Sequence, residues 1–278
     1  MAEHAGDTST AGTTGVPAGA VLLGTVALEP NRWSTVDPSG APSADLVAIA
    51  PQIAATGCDG LELWERHLPP EPEAAATLLG ALPPVLVLNS YVAFDRDDPA
   101  ARDAVAARVR TSGARGVKFN VGADPALEEV YAERVADLLD RLPDDVVLLC
   151  ECHEHISIAE DPTVAARILA AAGPAERVGA IVHTHESEAH LRARFDAYGD
   201  RIRHVHLNLL DPATMQAPAL ADRADDLGRT VALLRQLGFD GSWTLEFVEG
   251  VLTDHDEPGA LVAQAAADLS VLREVLAG

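Results

Sequence analysis

The sequence predicts a single (β/α)8 barrel, an α/β fold in which eight parallel strands are each followed by a helix. Short apolar runs alternate with longer stretches of helical periodicity, and this alternation occurs eight times in the 278 residues. No change of composition interrupts the series, so nothing marks a boundary between two domains. A chain of this length and order matches a closed barrel better than an open doubly wound sheet.

The predicted strands are apolar runs that end in polar residues. They are VLLGTVAL from Val21, GLELWE from Gly60, VLVLNSY from Val85, GVKFNVG from Gly116, VVLLCECHE from Val146, VGAIVHTHE from Val178, IRHVHLNLLD from Ile202 and SWTLEFVEG from Ser242. Helices are predicted over 43–56, 71–81, 98–113, 125–141, 162–172, 187–197, 222–237 and 259–276. Ser43, Asp98 and Asp161 have the side chains that cap helix N-termini.

The first 18 residues are small and polar, which predicts a disordered tail before a barrel domain over residues 19–278. The start of the chain has neither a basic segment nor an apolar signal core, and no apolar run reaches the roughly 20 residues of a membrane span. The three cysteines do not form an obvious disulfide framework. We therefore expect a cytoplasmic protein with reduced thiols and no membrane partner.

Acidic residues dominate the charge of the chain. Its 43 Asp and Glu against 20 Lys and Arg give a formal net charge of −23. A field of this sign repels phosphate backbones and anionic lipid. We therefore expect a small molecule, and not nucleic acid, as the partner.

Histidines concentrate at the ends of three successive predicted strands. Six of the ten lie there: His153, His155, His183, His185, His204 and His206. Active sites of (β/α)8 barrels lie at the carboxyl ends of the strands, and alternate residues of a strand share one face. These histidines therefore point to one functional site.

Four consecutive strands offer metal ligands at one depth, namely Glu151, His183, His206 and Glu246. A mixed imidazole and carboxylate set suits one divalent ion of Mn, Co, Fe or Zn better than Mg, which prefers oxygen ligands. The structural alternative is a hydrogen-bonded cap on the barrel. A set spread over four strands favours the metal site.

Four motifs resemble the xylose isomerase-like TIM barrel family of sugar epimerases and isomerases, which includes tagatose/psicose 3-epimerases, hydroxypyruvate isomerase and inosose dehydratase. They are DGLELWE in strand two, LLCECHEH in strand five, HVHLNLLD in strand seven and TLEF in strand eight, and the resemblance covers residues 21–277. It implies one metal held by Glu, Asp, His and Glu from strands five to eight. Glu151, His206 and Glu246 match these ligands.

Strand six departs from the family pattern, because the segment that usually reads D-x-x-H is His183-Thr184-His185-Glu186 here. His183, His185 or Glu186 is then the fourth ligand. The substrate-binding Arg that the family has after the strand-seven His is absent from HLNLLDP.

The resemblance implies an isomerase or epimerase that acts on an α-hydroxyketone or keto-sugar through an enediolate. Glu151 and Glu246 would be acid/base groups as well as ligands, with His153 as a further catalytic candidate. One alternative is a lyase on the same scaffold, either a keto-inositol dehydratase or a subunit of an oxidised-glycoside deglycosidase. Another is a non-catalytic sugar-binding barrel. Endonuclease IV chemistry is disfavoured by the acidic charge and by strand three, which ends in Asn89-Ser90.

Further candidates for substrate contact follow the strands on the same side of the barrel. They are Glu62, Trp64, Lys118, His185 and Glu186, with Trp33 as a second aromatic side chain able to stack on a sugar ring. The expected substrate is a small sugar or polyol, and a homo-oligomer is compatible with the family.

Overall fold

The computed structural model describes residues 15–153, 156–211, 213–214 and 216–278. Within them, eight parallel strands form a closed barrel in which each strand pairs with the next and the last pairs with the first. The strands are β1 (Val21–Gly24), β2 (Gly60–Trp64), β3 (Val85–Asn89), β4 (Gly116–Phe119), β5 (Val147–Glu151), β6 (Val178–His183), β7 (Ile202–Leu207) and β8 (Ser242–Leu245). The (β/α)8 prediction is confirmed.

A helix follows each strand. The helices are α1 (Ala50–Ala55), α2 (Pro72–Ala81), α3 (Pro99–Ser112), α4 (Glu128–Arg141), α5 (Pro162–Ala172), α6 (Glu188–Tyr198), α7 (Ala224–Gln236) and α8 (Pro258–Ala277). Asp98 caps α3 by accepting from the Ala101 amide, and Asp161 caps α5 by accepting from the Thr163 amide. Among the helices of the described chain, none has the length and apolar character needed to cross a lipid bilayer.

The predicted start of the first helix is wrong, because α1 begins at Ala50 and Ser43 does not cap it. The Ser43 hydroxyl donates instead to the buried Glu29 carboxylate, which also accepts from the Ser43 and Ala44 amides. This tertiary contact holds the segment in a loop over the barrel.

Two apolar layers support the carboxyl end of the barrel. The larger layer fills the space between sheet and helices and includes Cys150 and Cys152. The smaller layer lies inside the barrel and consists of Ala20, Leu22, Val87, Val147, Leu149 and Ile181. Because these apolar side chains fill the interior toward the amino ends of the strands, the inward-facing polar residues collect at the carboxyl ends.

The described chain begins against this barrel. The Gly15 amide donates to the Asp145 carbonyl at 2.8 Å, and Val16 packs on the inner apolar layer. Residues 1–14 of the predicted tail lie outside the described residues, and the boundary at residue 19 stays a prediction.

Asp268 on α8 makes stability depend on pH. Its side chain accepts from the Leu220 amide and from Gln264, each at 2.9 Å, while Oδ2 is buried and has no hydrogen-bond partner among the described residues. Burial raises the pKa of Asp268 from 3.8 to about 6, against the lowering effect of its two donors. Between these values the unfolded chain is ionised while the folded protein keeps its proton, so the free energy of unfolding falls as pH rises.

We expect Asp268→Asn to remove this penalty, because the amide keeps an acceptor oxygen and carries no charge. The stability difference between variant and wild type should grow from pH 4 to pH 6 and then stay near its maximum, at up to about 3 kcal/mol in favour of the variant. Urea denaturation across pH 4.5–8 measures it, with the exposed Asp222→Asn as control. A difference that does not change with pH would contradict the assignment.

Candidate metal centre

Four buried side chains from four successive strand ends converge at the carboxyl end of the barrel. They are Glu151 at the end of β5, His183 at the end of β6, His206 in β7 and Glu246 directly after β8. One ligand atom from each lies within 4.8 Å of the others. Donors on opposite sides of one cation are about 4 Å apart, because each metal–ligand bond is about 2.0–2.2 Å. The set therefore has the dimensions of a metal site.

The two imidazoles point between the two carboxylates. Nδ1 of His206 lies 3.1 Å from Oε1 of Glu151 and 3.3 Å from Oε1 of Glu246. Nε2 of His183 lies 3.4 Å from Oε1 of Glu151 and 4.0 Å from Oε2 of Glu246.

Neither of these two buried nitrogens has a hydrogen-bond partner among the described residues. A buried polar atom without a partner is costly, and buried ionisable groups are usually paired or bound to a metal. Two unpartnered nitrogens aimed at two carboxylates therefore fit a bound divalent cation. The residues present are those of a Mn, Fe, Co or Zn site, and the geometry does not select among these ions.

Lys118 and Asn120 hold the second oxygen of Glu151. The Lys118 ammonium lies 2.8 Å from Oε2, and Asn120 donates to the same atom at 2.9 Å. Lys118 is itself buried and lies 4.5 Å from the centre of the Tyr91 ring. Its predicted role in substrate binding stays a prediction; in the structure it forms an ion pair with the Glu151 carboxylate.

Asn208, directly after β7, orients two side chains of the site. Its side-chain nitrogen Nδ2 donates to Oε2 of Glu246, and its side-chain oxygen Oδ1 accepts from Nδ1 of His185 at 2.7 Å. His185 is exposed, so it is not a member of the buried four-ligand set.

Glu186 also lies outside that set. Its carboxylate pairs with the buried Arg194 and accepts from the His183 amide at 3.1 Å, while Oε1 lies 3.7 Å from Nδ1 of His183. Among the three strand-six candidates, the geometry favours His183 as the ligand. Glu186 supports His183 from behind, and its predicted contact with a substrate stays a prediction.

Glu62 and Trp64 on β2 are both buried, and their predicted contact with a substrate stays a prediction. Glu62 is 1% exposed and lies beneath His206, with Oε2 at 3.1 Å from Nε2 of that ring. Trp64 is 2% exposed and packs edge-on against His67. Both side chains therefore belong to the interior of the barrel end.

The side chains nearer to solvent are aromatic. His153 is half-buried, with its ring centre 5.0 Å from that of His183 and 5.8 Å from that of His185. Trp33 is 39% exposed and lies 5.6 Å from Phe247, the residue after Glu246. His155 lies outside the described residues.

The electrostatics of the set reflect this crowding of opposite charges. Burial alone lowers the pKa of His183, but Glu151 and Glu186 outweigh it and raise that pKa to about 9. The pKa of His206 is likewise raised, because Glu62 and Glu246 outweigh burial. Burial raises the pKa of Glu151, yet Lys118 and the two histidines hold it well below its usual range. Burial also raises the pKa of Glu246, but His206 and His183 outweigh it and lower that pKa, so both carboxylates are charged at neutral pH, as metal ligands must be.

Sequence reasoning missed the amides and the arginine around the ligands. Asn120 and Asn208 each follow directly after a strand, so the strand-end rule that found the histidines could have found them. Arg194 gave no such signal, because it lies within a helix and its partner is set by tertiary packing.

Comparison with known proteins is informative at the level of structure. No protein-family model matches the chain, and no curated protein matches its sequence. A xylose isomerase-like TIM barrel/4-hydroxyphenylpyruvate dioxygenase fusion protein is 17% identical with a TM-score of 0.62; the match covers 93% of this chain and 43% of the fusion protein. This chain thus spans less than half the length of that relative.

Two further solved structures match over most of both chains. A xylose isomerase domain protein from Alicyclobacillus acidocaldarius is 15% identical with a TM-score of 0.59, covering 86% of this chain and 96% of its own. Endonuclease IV from Thermus thermophilus is 17% identical with a TM-score of 0.57, and the match covers 84% of this chain and 94% of the endonuclease. At these identities the likeness concerns the fold. The chain therefore shares the (β/α)8 barrel fold of these xylose isomerase-like and endonuclease IV structures.

Proposed function

We propose that this protein is a divalent-metal-dependent isomerase or epimerase of α-hydroxyketones or keto-sugars. The observation that carries the proposal is the convergence of Glu151, His183, His206 and Glu246, with two imidazole nitrogens left unpartnered between two carboxylates. A bound cation would supply positive charge that stabilises the oxyanion developing as a proton leaves the carbon beside a carbonyl.

The two carboxylates are not equivalent as bases. Oε2 of Glu151 is covered by the Lys118 ammonium and by Asn120, whereas Oε2 of Glu246 accepts from the neutral Asn208 amide. A carboxylate beside an ammonium is the weaker base. Glu246 is therefore our candidate for the group that removes the substrate proton, and Glu151 for the group on the opposite side of the reacting carbon.

His153 and His185 suit contacts to substrate hydroxyls, because they are the more exposed imidazoles next to the buried set. Nδ1 of His185 is engaged by Asn208, so Nε2 is its available nitrogen. Trp33 and Phe247 add an aromatic surface on which the apolar face of a sugar ring can pack. These contacts favour a small sugar or polyol.

Hydrogen exchange tests the proposal. The protein is loaded with Mn, Co or Zn and incubated in D2O with a panel of ketoses and keto-inositols, followed by NMR and mass spectrometry. We expect deuterium at the carbon beside the carbonyl and an epimer or isomer of otherwise unchanged mass, with Glu246→Gln slower by about 10²–10⁴-fold. A product that has lost water or an aglycone would instead establish the lyase. Binding without exchange or product would leave a sugar-binding barrel.

A further inference from the structure

We propose that Glu62 is a positioning residue that fixes the His206 ring so that its Nδ1 faces the metal centre. The inference rests on the proposed metal site and concerns a residue that is 1% exposed and lies beneath His206. Its basis is a series of buried hydrogen bonds in the barrel interior, in which Glu62 accepts from His206 on one side and from Thr244 of β8 on the other.

Glu62 is held from three other strands. Its Oε2 accepts from Nε2 of His206 at 3.1 Å and from the Thr244 hydroxyl at 3.0 Å, and its Oε1 accepts from the Asn89 amide at 2.8 Å. Since β3, β7 and β8 supply these donors, the carboxylate has one position. A ring nitrogen that donates to it is fixed in orientation as well.

The bond to Glu62 also decides which nitrogen of His206 is free. An imidazole that donates through Nε2 presents a lone pair at Nδ1 once a cation is bound. Nδ1 is the atom that lies between Glu151 and Glu246 with no hydrogen-bond partner among the described residues. Glu62 therefore selects the metal-binding tautomer.

A second layer of hydrogen bonds, around His204, fixes which group is the donor in each bond. His204 lies 2.8 Å from the Thr244 hydroxyl through Nε2 and 2.7 Å from the Ser242 hydroxyl through Nδ1. Because Thr244 donates its proton to Glu62, it accepts from Nε2 of His204. Nδ1 of His204 then accepts from the Ser242 hydroxyl at 2.7 Å, a much shorter contact than the 3.5 Å from that hydroxyl to the Arg203 carbonyl. The bonds run from Ser242 to Glu62, which ends the series as the acceptor.

These hydrogen bonds also account for a second group of potential metal ligands, formed by Glu62, His204 and His206. Both nitrogens of His204 and both oxygens of Glu62 are engaged in hydrogen bonds. We assign this inner group to support of the outer site and not to a second ion.

Cobalt binding tests the assignment. We expect Glu62→Met to weaken Co²⁺ affinity by about 10–100-fold, and Glu62→Gln, which keeps an acceptor oxygen for His206, to weaken it less. Glu65 provides the matched control, since it lies three residues further along the chain and accepts instead from Ser90 and the Tyr91 amide. The same two substitutions there should leave the affinity unchanged. Titration followed by the cobalt absorption bands measures all five proteins.

Two measurements keep the inference testable if Glu62→Met does not fold. Thr244→Val removes one donor to Glu62 and no ligand, so we expect a several-fold loss of Co²⁺ affinity. In the zinc-loaded wild type, ¹⁵N shifts of labelled histidine should show His206 bound through Nδ1 and protonated at Nε2. Binding through Nε2, a second tightly bound ion per chain, or unchanged affinity in both Glu62→Gln and Thr244→Val would overturn the inference alone. A wild type that takes up no metal would overturn the proposed function as well.

Discussion

We expect wild-type protein purified without chelator to carry one divalent cation and His206→Ala to lose it. The ring lies at the centre of the set, with Nδ1 3.1 Å from Glu151 and 3.3 Å from Glu246, and its loss leaves the two carboxylates without the imidazole between them. Loss of a residue that only supports a ligand typically costs 10–100-fold in metal affinity, so loss of the ligand should cost more than about 100-fold. Elemental mass spectrometry should find about one ion per wild-type chain and almost none in the variant.

His183→Ala should behave in the same way, since Nε2 of His183 is the second unpartnered nitrogen of the set. His190→Ala, an exposed histidine on α6, is the control and should keep the metal. Metal retained in His183→Ala but lost in His206→Ala would move the strand-six ligand to His185 or Glu186. Wild-type protein that holds no Mn, Co, Fe or Zn even after these ions are added would refute the metal centre.

The fold was predictable because the signal for it is local. Each strand is an apolar run with a polar end, and each helix has its own periodicity, so eight units could be recognised before any contact between them was known. The error at the first helix has a non-local cause. Ser43 has the chemistry of a helix cap, but Glu29 draws its hydroxyl and amide into a tertiary contact that no local pattern contains.

The candidate site was predictable in part for a related reason. Alternation along a strand indicates which face a residue lies on, and this was enough to bring Glu151, His183 and His206 together. It does not indicate depth inside the barrel, which depends on how all eight strands are staggered. The sequence therefore did not predict that Glu62 lies beneath His206.

Arg194→Met is expected to lower the free energy of unfolding by about 3–5 kcal/mol, the usual result of removing one partner of a buried ion pair. The Arg194 side chain is 2% exposed and that of Glu186 is 4% exposed. Burial raises the pKa of Glu186, but His183 and Arg194 bring it down to about 2, so this carboxylate is charged at neutral pH. Without the guanidinium, the charge stays buried beside His183. Tyr198 also loses the 2.9 Å hydrogen bond that it accepts from Arg194.

Arg192→Met provides a matched control on the same helix, because Arg192 pairs with Glu188 on the exposed face. Methionine and arginine have similar helix propensities, so this variant should change stability by less than about 1 kcal/mol. Urea denaturation at pH 7 measures both. The cost in Arg194→Met arises from an unpaired buried charge, and Glu186→Gln combined with Arg194→Met should therefore recover part of it. If Arg194→Met is no less stable than Arg192→Met, the buried pair does not anchor the segment that holds His183.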